Sequence, residues 1–566
     1  MSPDPRGALG VFFLAGAAGE GSRAAPYGAA CVAAALKAEL GAAVQATLLN
    51  AMPDDDPAAL ALAAYDGGRA APHILGLSLY VWNADALLKA AAALKRRWPG
   101  LVVVAGGPDA SARGETLVGG DSPVDLVVRG EGEAAMAALC GEAIAALREG
   151  RPLAQALLAP GRPRVRSRPL ESLDVLPSPW LDGTLDPAAY GGGALELTRG
   201  CPYRCAFCYE SKGDARLRRF PLERARAELK RFKVAGVDEV FVLDPTFNAV
   251  PERMEAAVKE LERAGLRYFI ELRGELVNGR QAALLSRLDC VVQLGLQSAD
   301  PKVLKPLGRG FDAKRFASGV RALEERGILY GLDLIYGLPL DTLDGFKASL
   351  DYAIALGPNH LDIFRLAVLP GTALADMAEG LGLRYDREPP YLVRGLPGFQ
   401  AAELSRAERL ALAAALFYNQ GRAVMWLRPL LEALGTGAAG FFEGWADYLK
   451  GAAPAPAALE RAPHAEIERL QLAYVGRLCK GDAGLAQAAG ELIRVSGAWT
   501  RALAEGEATE LELGWDPEEL LDYAPAGLRD FPSEFKRRPA RWRCEPGPEG
   551  PRFVRARAGG TTKYRG

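Results

Sequence analysis

The chain has 566 residues, 49% hydrophobic and 24% charged, with a formal net charge of −2 and 39 prolines. That length exceeds one hydrophobic core and asks for about three domains. The near-neutral charge excludes a general pull toward nucleic acid or anionic membrane, and eight cysteines in such a length exclude a disulfide framework.

The first apolar run, Ala8 to Gly19, follows a single arginine. It is too short for a membrane span and is read as a buried strand with a glycine-rich turn rather than a secretory leader. Strands are expected at 9–14, 44–49, 73–80, 101–105 and 124–128, with helices near 27–40, 57–66, 84–97 and 133–148. Continuous apolar strands separated by helices imply a doubly wound parallel sheet, whose ligands bind at the strands' C-terminal edge. The loops at that edge are polar or glycine-rich: Ser78-Leu-Tyr80-Val-Trp-Asn83, Gly106-Gly107-Pro-Asp109-Ala-Ser111 and Arg129-Gly130-Glu131-Gly132-Glu133. Residues 151–193, rich in Pro, Arg and Ser, are expected to form a linker.

From Ala194 strand–helix alternation resumes, with strands expected at 194–198, 238–244, 267–272, 290–297, 329–336 and 361–367. Helices at 221–234 and 251–264 each carry one apolar stripe, Met254, Ala257, Val258 and Leu261 in the second. Gly236, Gly265 and Gly327 stand where helices should stop. Six such units describe an open, partial (β/α)6 barrel, whose chemistry belongs at its C-terminal face. Beyond about residue 385 the alternation gives way to a mostly helical region, ending in a basic, aromatic stretch from Phe535 to Arg555. A solvated tail or a packed strap is the first reading of that stretch, and a nucleic-acid grip the second.

The loop after the barrel's first strand carries Cys201, Cys205 and Cys208 in Leu-Thr-Arg-Gly-Cys-Pro-Tyr-Arg-Cys-Ala-Phe-Cys-Tyr. Structural zinc and ordinary cubane sites take four protein ligands, so three leave one metal position open. Zinc completed by a distant residue is the alternative, although the three histidines, His73, His360 and His464, lie far off in sequence. The motif resembles that of the radical S-adenosylmethionine (SAM) superfamily. That resemblance implies a [4Fe-4S] cluster on the three cysteines, with SAM on the open iron. It also implies SAM contacts at Phe207, at Asp244, Thr246 and Asn248 in Asp-Pro-Thr-Phe-Asn, at Gln297 and Ser298, and at Ile335 and Gly337.

A doubly wound domain before such a barrel is similar to the cobalamin-binding subclass, which implies cobalamin contacts at Ser78, Tyr80, Gly106, Gly107, Asp109, Gly130, Glu131 and Gly132. The Asp-x-His-x-x-Gly motif of other cobalamin proteins is absent, so no histidine is expected on cobalt, and His73 is read as a packed residue. Methylthiotransferases also precede the barrel with a domain, but hold a second cluster on three cysteines there; this domain has only Cys31 and Cys140. The organisation implied is 1–150 cobalamin-binding, 151–193 linker, 194–385 radical SAM barrel and 386–566 a mostly helical domain of uncharacterised type.

The implied activity is methylation of an unactivated carbon through a 5′-deoxyadenosyl radical and methylcobalamin. A cyclase, rearrangement or oxidation enzyme and a non-catalytic cofactor sensor are the alternatives. Expected partners are an unidentified small molecule or peptide as substrate and a flavodoxin- or ferredoxin-like reductant, with no membrane or nucleic acid. Reduced thiols imply a cytoplasmic location.

Overall fold

In the computed structural model the described residues are 8–18, 25–65, 71–212, 216–453, 456–548 and 550–556. Gly19, the end of the expected first turn, lies outside them. The chain forms two compact units. One runs to residue 293 and adds 304–328 and 366–397; the other comprises 294–303, 329–365 and 398–566.

The first unit opens with β1 (Leu9–Gly16), α1 (Tyr27–Leu40), β2 (Val44–Ala51), α2 (Pro57–Tyr65), β3 (Ile74–Ser78), α3 (Ala84–Arg97), β4 (Val102–Gly106), α4 (Pro108–Arg113), β5 (Leu126–Val128) and α5 (Glu133–Arg148). The sheet order is β2-β1-β3-β4-β5, extended by β6 (Val165–Arg166), and all pairs are parallel. The order reverses between β1 and β3, the crevice where such sheets bind ligands. Both faces of the sheet are covered. Val11, Phe13 and Val104 pack with Leu36, Leu139 and Ile144 on one side. Phe12, Leu75 and Val103 pack with Leu87, Ala91 and Leu94 on the other. The segment expected as a linker therefore supplies the sixth strand and a short helix, α6 (Leu153–Leu157). Two residues of strand carry too little alternation to be seen in a sequence.

The barrel comprises β7 (Gly192–Leu195), β8 (Thr198–Arg199), β9 (Arg218–Arg219), α7 (Leu222–Val234), β10 (Glu239–Val242), α8 (Pro251–Ala264), β11 (Arg267–Leu272), α9 (Gly279–Leu285), β12 (Asp289–Gln297), α10 (Pro301–Leu304), α11 (Ala313–Glu324), β13 (Leu329–Tyr336), α12 (Leu343–Ala355) and β14 (His360–Arg365). Its large strands follow one another as β7-β10-β11-β12-β13-β14, an open six-stranded sheet. Gly236, Gly265 and Gly327 have φ of +73°, +63° and +66°, as residues terminating helices should.

In the second unit the edge strand β14 is capped rather than left bare. The Asn419 side chain accepts from Leu361 N at 3.1 Å and donates to Leu361 O at 2.8 Å, standing in for a seventh strand. Phe417 gathers Trp426, Phe441, Phe442, Trp445 and Tyr474 at centroid distances of 4.9–6.5 Å. The basic stretch is a packed strap, since 509–513, 540–545 and 552–555 form an antiparallel sheet. Arg541, Arg543 and Arg552 there pair with Glu512, Glu510 and Glu545. No helix among the described residues is long and apolar enough to cross a membrane.

Candidate functional site

The three cysteines occupy the loop between β8 and β9, whose antiparallel pairing closes the loop's neck. Gly200, at φ +91°, turns the chain out of β8 into Cys201, a backbone shape that other residues adopt only with strain. The loop is pinned at its middle. Ala206 donates to Leu307 O and accepts from Leu374 N, both at 2.8 Å, and Cys208 N donates to Cys205 O at 3.0 Å. A side chain on Gly308 would meet Arg204 O at 2.4 Å, so the chain passes tightly beneath the second cysteine.

The end of β10 fixes the loop's start. Asp244, 3% exposed, accepts from Leu197 N at 2.8 Å, Thr198 N at 3.1 Å and the Thr198 hydroxyl at 2.6 Å. Burial pushes its carboxyl up to about 6 against those three hydrogen bonds. Thr246 places its hydroxyl 3.9 Å from Cys201 Sγ. Asn248 is consumed within the fold, donating to Arg273 O and Gln281 Oε1 and accepting from Arg273 N. Arg273 in turn lays its guanidinium 4.0 Å over the ring of Tyr203, between the first two cysteines.

Because the folded carboxyl of Asp244 holds its proton more tightly than an unfolded aspartate near 3.9, its contribution favours the fold at low pH and is lost as pH rises toward 6. Asp244→Asn should flatten the dependence of melting temperature on pH between about 4 and 6. Because an amide accepts with one oxygen only, it should also cost about 1–3 kcal/mol at low pH. A melting profile parallel to that of the unsubstituted protein would contradict this role.

None of the three thiols is in a disulfide. Burial, with the Glu210 charge adding to it, raises Cys208 to about 11 despite an opposing backbone hydrogen bond. Such a thiol ionises when it binds a metal. Among the described residues no three His, Cys, Asp or Glu side chains converge on one point as a mononuclear ion requires. A four-iron cluster gives each cysteine its own iron and does not ask for that convergence. Three thiols outside any disulfide, on one loop held at its middle, suit it.

The other expected SAM contacts are distributed between the two units. Phe207 is half-buried in the first. In the second, Gln297 ends β12 at φ +68°, a left-handed shape that a non-glycine residue adopts at a cost of about 1–2 kcal/mol. Ser298 is spent on Ser349 Oγ at 3.3 Å and Asp300 N at 3.1 Å. Ile335 is half-buried on β13, and Gly337, at φ +82°, ends it.

At the sheet's C-terminal edge, Asn83 joins the two strands of the crevice. Its amide donates to Gly16 O and Ser78 O, both at 3.1 Å, and its oxygen accepts from Tyr80 N. Tyr80 stacks on Trp82 at 4.4 Å, and Trp82 is 53% exposed. Ser78 is partly exposed. Gly107, at φ +94°, lets the chain approach Leu79, whose carbonyl a side chain there would meet at 2.6 Å. A side chain on Gly106 would meet only Val128 O, at 3.9 Å, and one on Gly130, at φ +78°, nothing within 4 Å. Open backbone at Gly106 and Gly130 suits the close approach of a large planar group.

Asp109 is instead buried, accepting from the Tyr391 hydroxyl at 3.0 Å and pairing with Arg113. Ala110 is fully buried among Leu77, Leu87 and Val103, so enlarging it would test packing rather than the open edge. His73 lies at the opposite end of its strand, where Nδ1 accepts from Gly10 N at 2.9 Å. It serves the fold.

Within the first unit this edge and the cysteine loop meet. Glu131 accepts from Arg218 at 2.8 Å on both oxygens and from Arg199 at 3.1 Å, flanked by the half-buried Gly132. Burial favours protonation of Glu131, but the arginine hydrogen bonds and charges outweigh it and hold its carboxyl below the usual range. A side chain on Gly371 would touch Ala112 at 3.1 Å and Tyr209 at 3.7 Å. These arginines were invisible as site residues in the sequence, because their partner lies 87 residues from Arg218.

Comparison with known proteins agrees with both halves. Residues 195–353 match the Radical SAM superfamily and residues 17–140 the B12 binding domain. A cobalamin-dependent radical SAM methyltransferase, TokK of Streptomyces tokunonensis, is 29% identical over 440 residues, 67% of this chain and 62% of its own length. A 2-(S-pantetheinyl)-carbapenam-3-carboxylate methyltransferase of Streptantibioticus cattleyicolor is 30% identical over 343 residues, 55% of this chain and 50% of its own. The chain thus spans less than two thirds of these relatives. The fold is shared with the cobalamin-dependent radical enzyme OxsB, at TM-score 0.56 and 13% identity over 87% of this chain and 84% of that one.

Proposed function

We propose, for a chain that is a radical SAM enzyme carrying a B12-binding domain, that it methylates an unactivated carbon. The relatives described above as methyltransferases carry this reading. Its cofactors are a [4Fe-4S] cluster, SAM and cobalamin. When bound, they supply a hydrogen-abstracting radical and a methyl donor, and the hard chemistry is theirs.

The protein's part is to hold and align. Cys201, Cys205 and Cys208 would hold the cluster, on a loop whose start Asp244 fixes and whose first turn Arg273 covers through Tyr203. Phe207, Thr246, Gln297 and Gly337 are the residues we assign to SAM. The open backbone at Gly106 and Gly130, the tight turn at Gly107, and Ser78, Tyr80 and Trp82 are assigned to cobalamin, with no histidine ligand. We assign residues 1–150 to cobalamin, 194–385 to the barrel, and 151–193 and 386–566 to support. A cytoplasmic setting with a flavodoxin- or ferredoxin-like reductant completes the reading; the substrate is a small molecule or peptide.

Product analysis after anaerobic reconstitution tests it. Formation of both S-adenosylhomocysteine and 5′-deoxyadenosine with substrate supports methylation. Production of 5′-deoxyadenosine alone would move the assignment to rearrangement or oxidation, and neither nucleoside would favour a sensor.

A further inference from the structure

In the neck of the cysteine loop Arg199 stands directly opposite Arg218 across the antiparallel pair. Like charges in that position repel and weaken the pairing. Both side chains are also largely withdrawn from solvent, 15% and 13% exposed, which weakens screening by water. Taken alone, the neck is a poor closure.

What completes it comes from the turn between β5 and α5. Glu131, itself 20% exposed, takes two parallel hydrogen bonds from Arg218 and one from Arg199. Glu133 adds a contact to Arg199 at 2.8 Å. Glu196, at the end of β7, takes two further bonds from Arg199 at 2.8 and 3.1 Å, which fixes that guanidinium in plane. The same turn is tied to α4, because Gly130 N donates to Ser111 Oγ at 2.9 Å.

We propose that Glu131 is a positioning residue that couples the B12-binding domain to the cysteine loop, bridging the two facing arginines so that seating the turn 130–132 tightens the neck. Any group that orders this turn then orders the cysteine loop as well. The purpose of the coupling rests on the functional reading above, but the coupling is testable in the chain without cofactors and can fail on its own.

The experiment is hydrogen exchange of the cofactor-free, full-length chain, comparing peptides that cover 200–212 with the control helix Pro251–Ala264. Glu131→Ala and Glu131→Arg should each raise exchange in 200–212 at least about tenfold through local opening, with the control unchanged. The charge-swapped double variant, Glu131→Arg with Arg218→Glu, should recover most of the protection, since the relocated carboxylate would face both cationic groups. After anaerobic reconstitution the two single variants should shift the EPR signal of the reduced cluster, and the double variant should return it. Where a single variant also loosens the control helix, the isosteric Glu131→Gln carries the same expectation. Wild-type exchange in 200–212 for the single variants, or a double variant no better than either, would overturn the proposal.

Discussion

Replacing Cys201, Cys205 and Cys208 together by alanine should remove about four irons per chain and all formation of 5′-deoxyadenosine, while cobalamin binding survives. The loss should be complete because the loop has no thiol besides these three. Two polar side chains beside it are engaged, Arg273 over Tyr203 and Asp244 on the backbone of Leu197 and Thr198. Those contacts lie outside the thiols, so the triple variant should fold, with a melting temperature close to that of the cofactor-free parent. Iron counting and Mössbauer spectroscopy of anaerobically prepared protein make the comparison. Stoichiometric zinc with little iron in the parent would refute the cluster assignment.

Gly107→Val should do the reverse, sparing the cluster and releasing cobalamin. At φ +94° a branched side chain is strained, and its Cβ would meet Leu79 O at 2.6 Å and Leu79 N at 3.0 Å. Both atoms are backbone and already bonded, Leu79 N to Gly106 O and Leu79 O to Asp109 N. The turn after β4 must therefore move away from the loop after β3. Strain and overpacking of about 1–3 kcal/mol at this edge should weaken retention of hydroxocobalamin at least about tenfold, tenfold being 1.4 kcal/mol. Iron content should be unchanged. Undiminished retention would mean that cobalamin binds elsewhere.

The architecture was legible where hydrophobic runs and chain punctuation act locally. Helices 27–40, 84–97, 133–148 and 251–264 and the strands 267–272 and 329–336 have the expected bounds, and Gly265, at φ +63°, ends the last of those helices where its apolar stripe stops. Elements whose stability comes from partners were not legible. The strand 165–166 exists only because β5 offers an edge, and the C-terminal strands 540–545 and 552–555 alternate charges that make sense only opposite Glu510, Glu512 and Glu545. The cysteine motif announced its own chemistry through spacing. Arg273 did not, and Asp244 and Glu131 were expected as cofactor contacts rather than as supports of the loop, because all three act through contacts far apart in sequence. Asp109 and Asn248 looked like ligands for the opposite reason: polar residues on functional-looking loops, which the structure uses to tie those loops to Tyr391 and Arg273.

The central claim is that the sheet's C-terminal edge and the cysteine loop serve a single reaction. Within the first unit they already touch through Glu131, Arg199 and Arg218. A radical and a methyl donor acting on one carbon must each approach it to about 3–3.5 Å, and small displacements are costly in rate. The direct test is a crystal structure of the chain reconstituted with cluster, SAM and cobalamin, reading the distance from cobalt to the 5′ carbon of SAM. The account predicts a separation of about 10 Å across a shared cavity, room for one substrate group. Cobalamin bound with cobalt facing away from the cysteine loop, and no common cavity, would contradict it even with every cofactor in place.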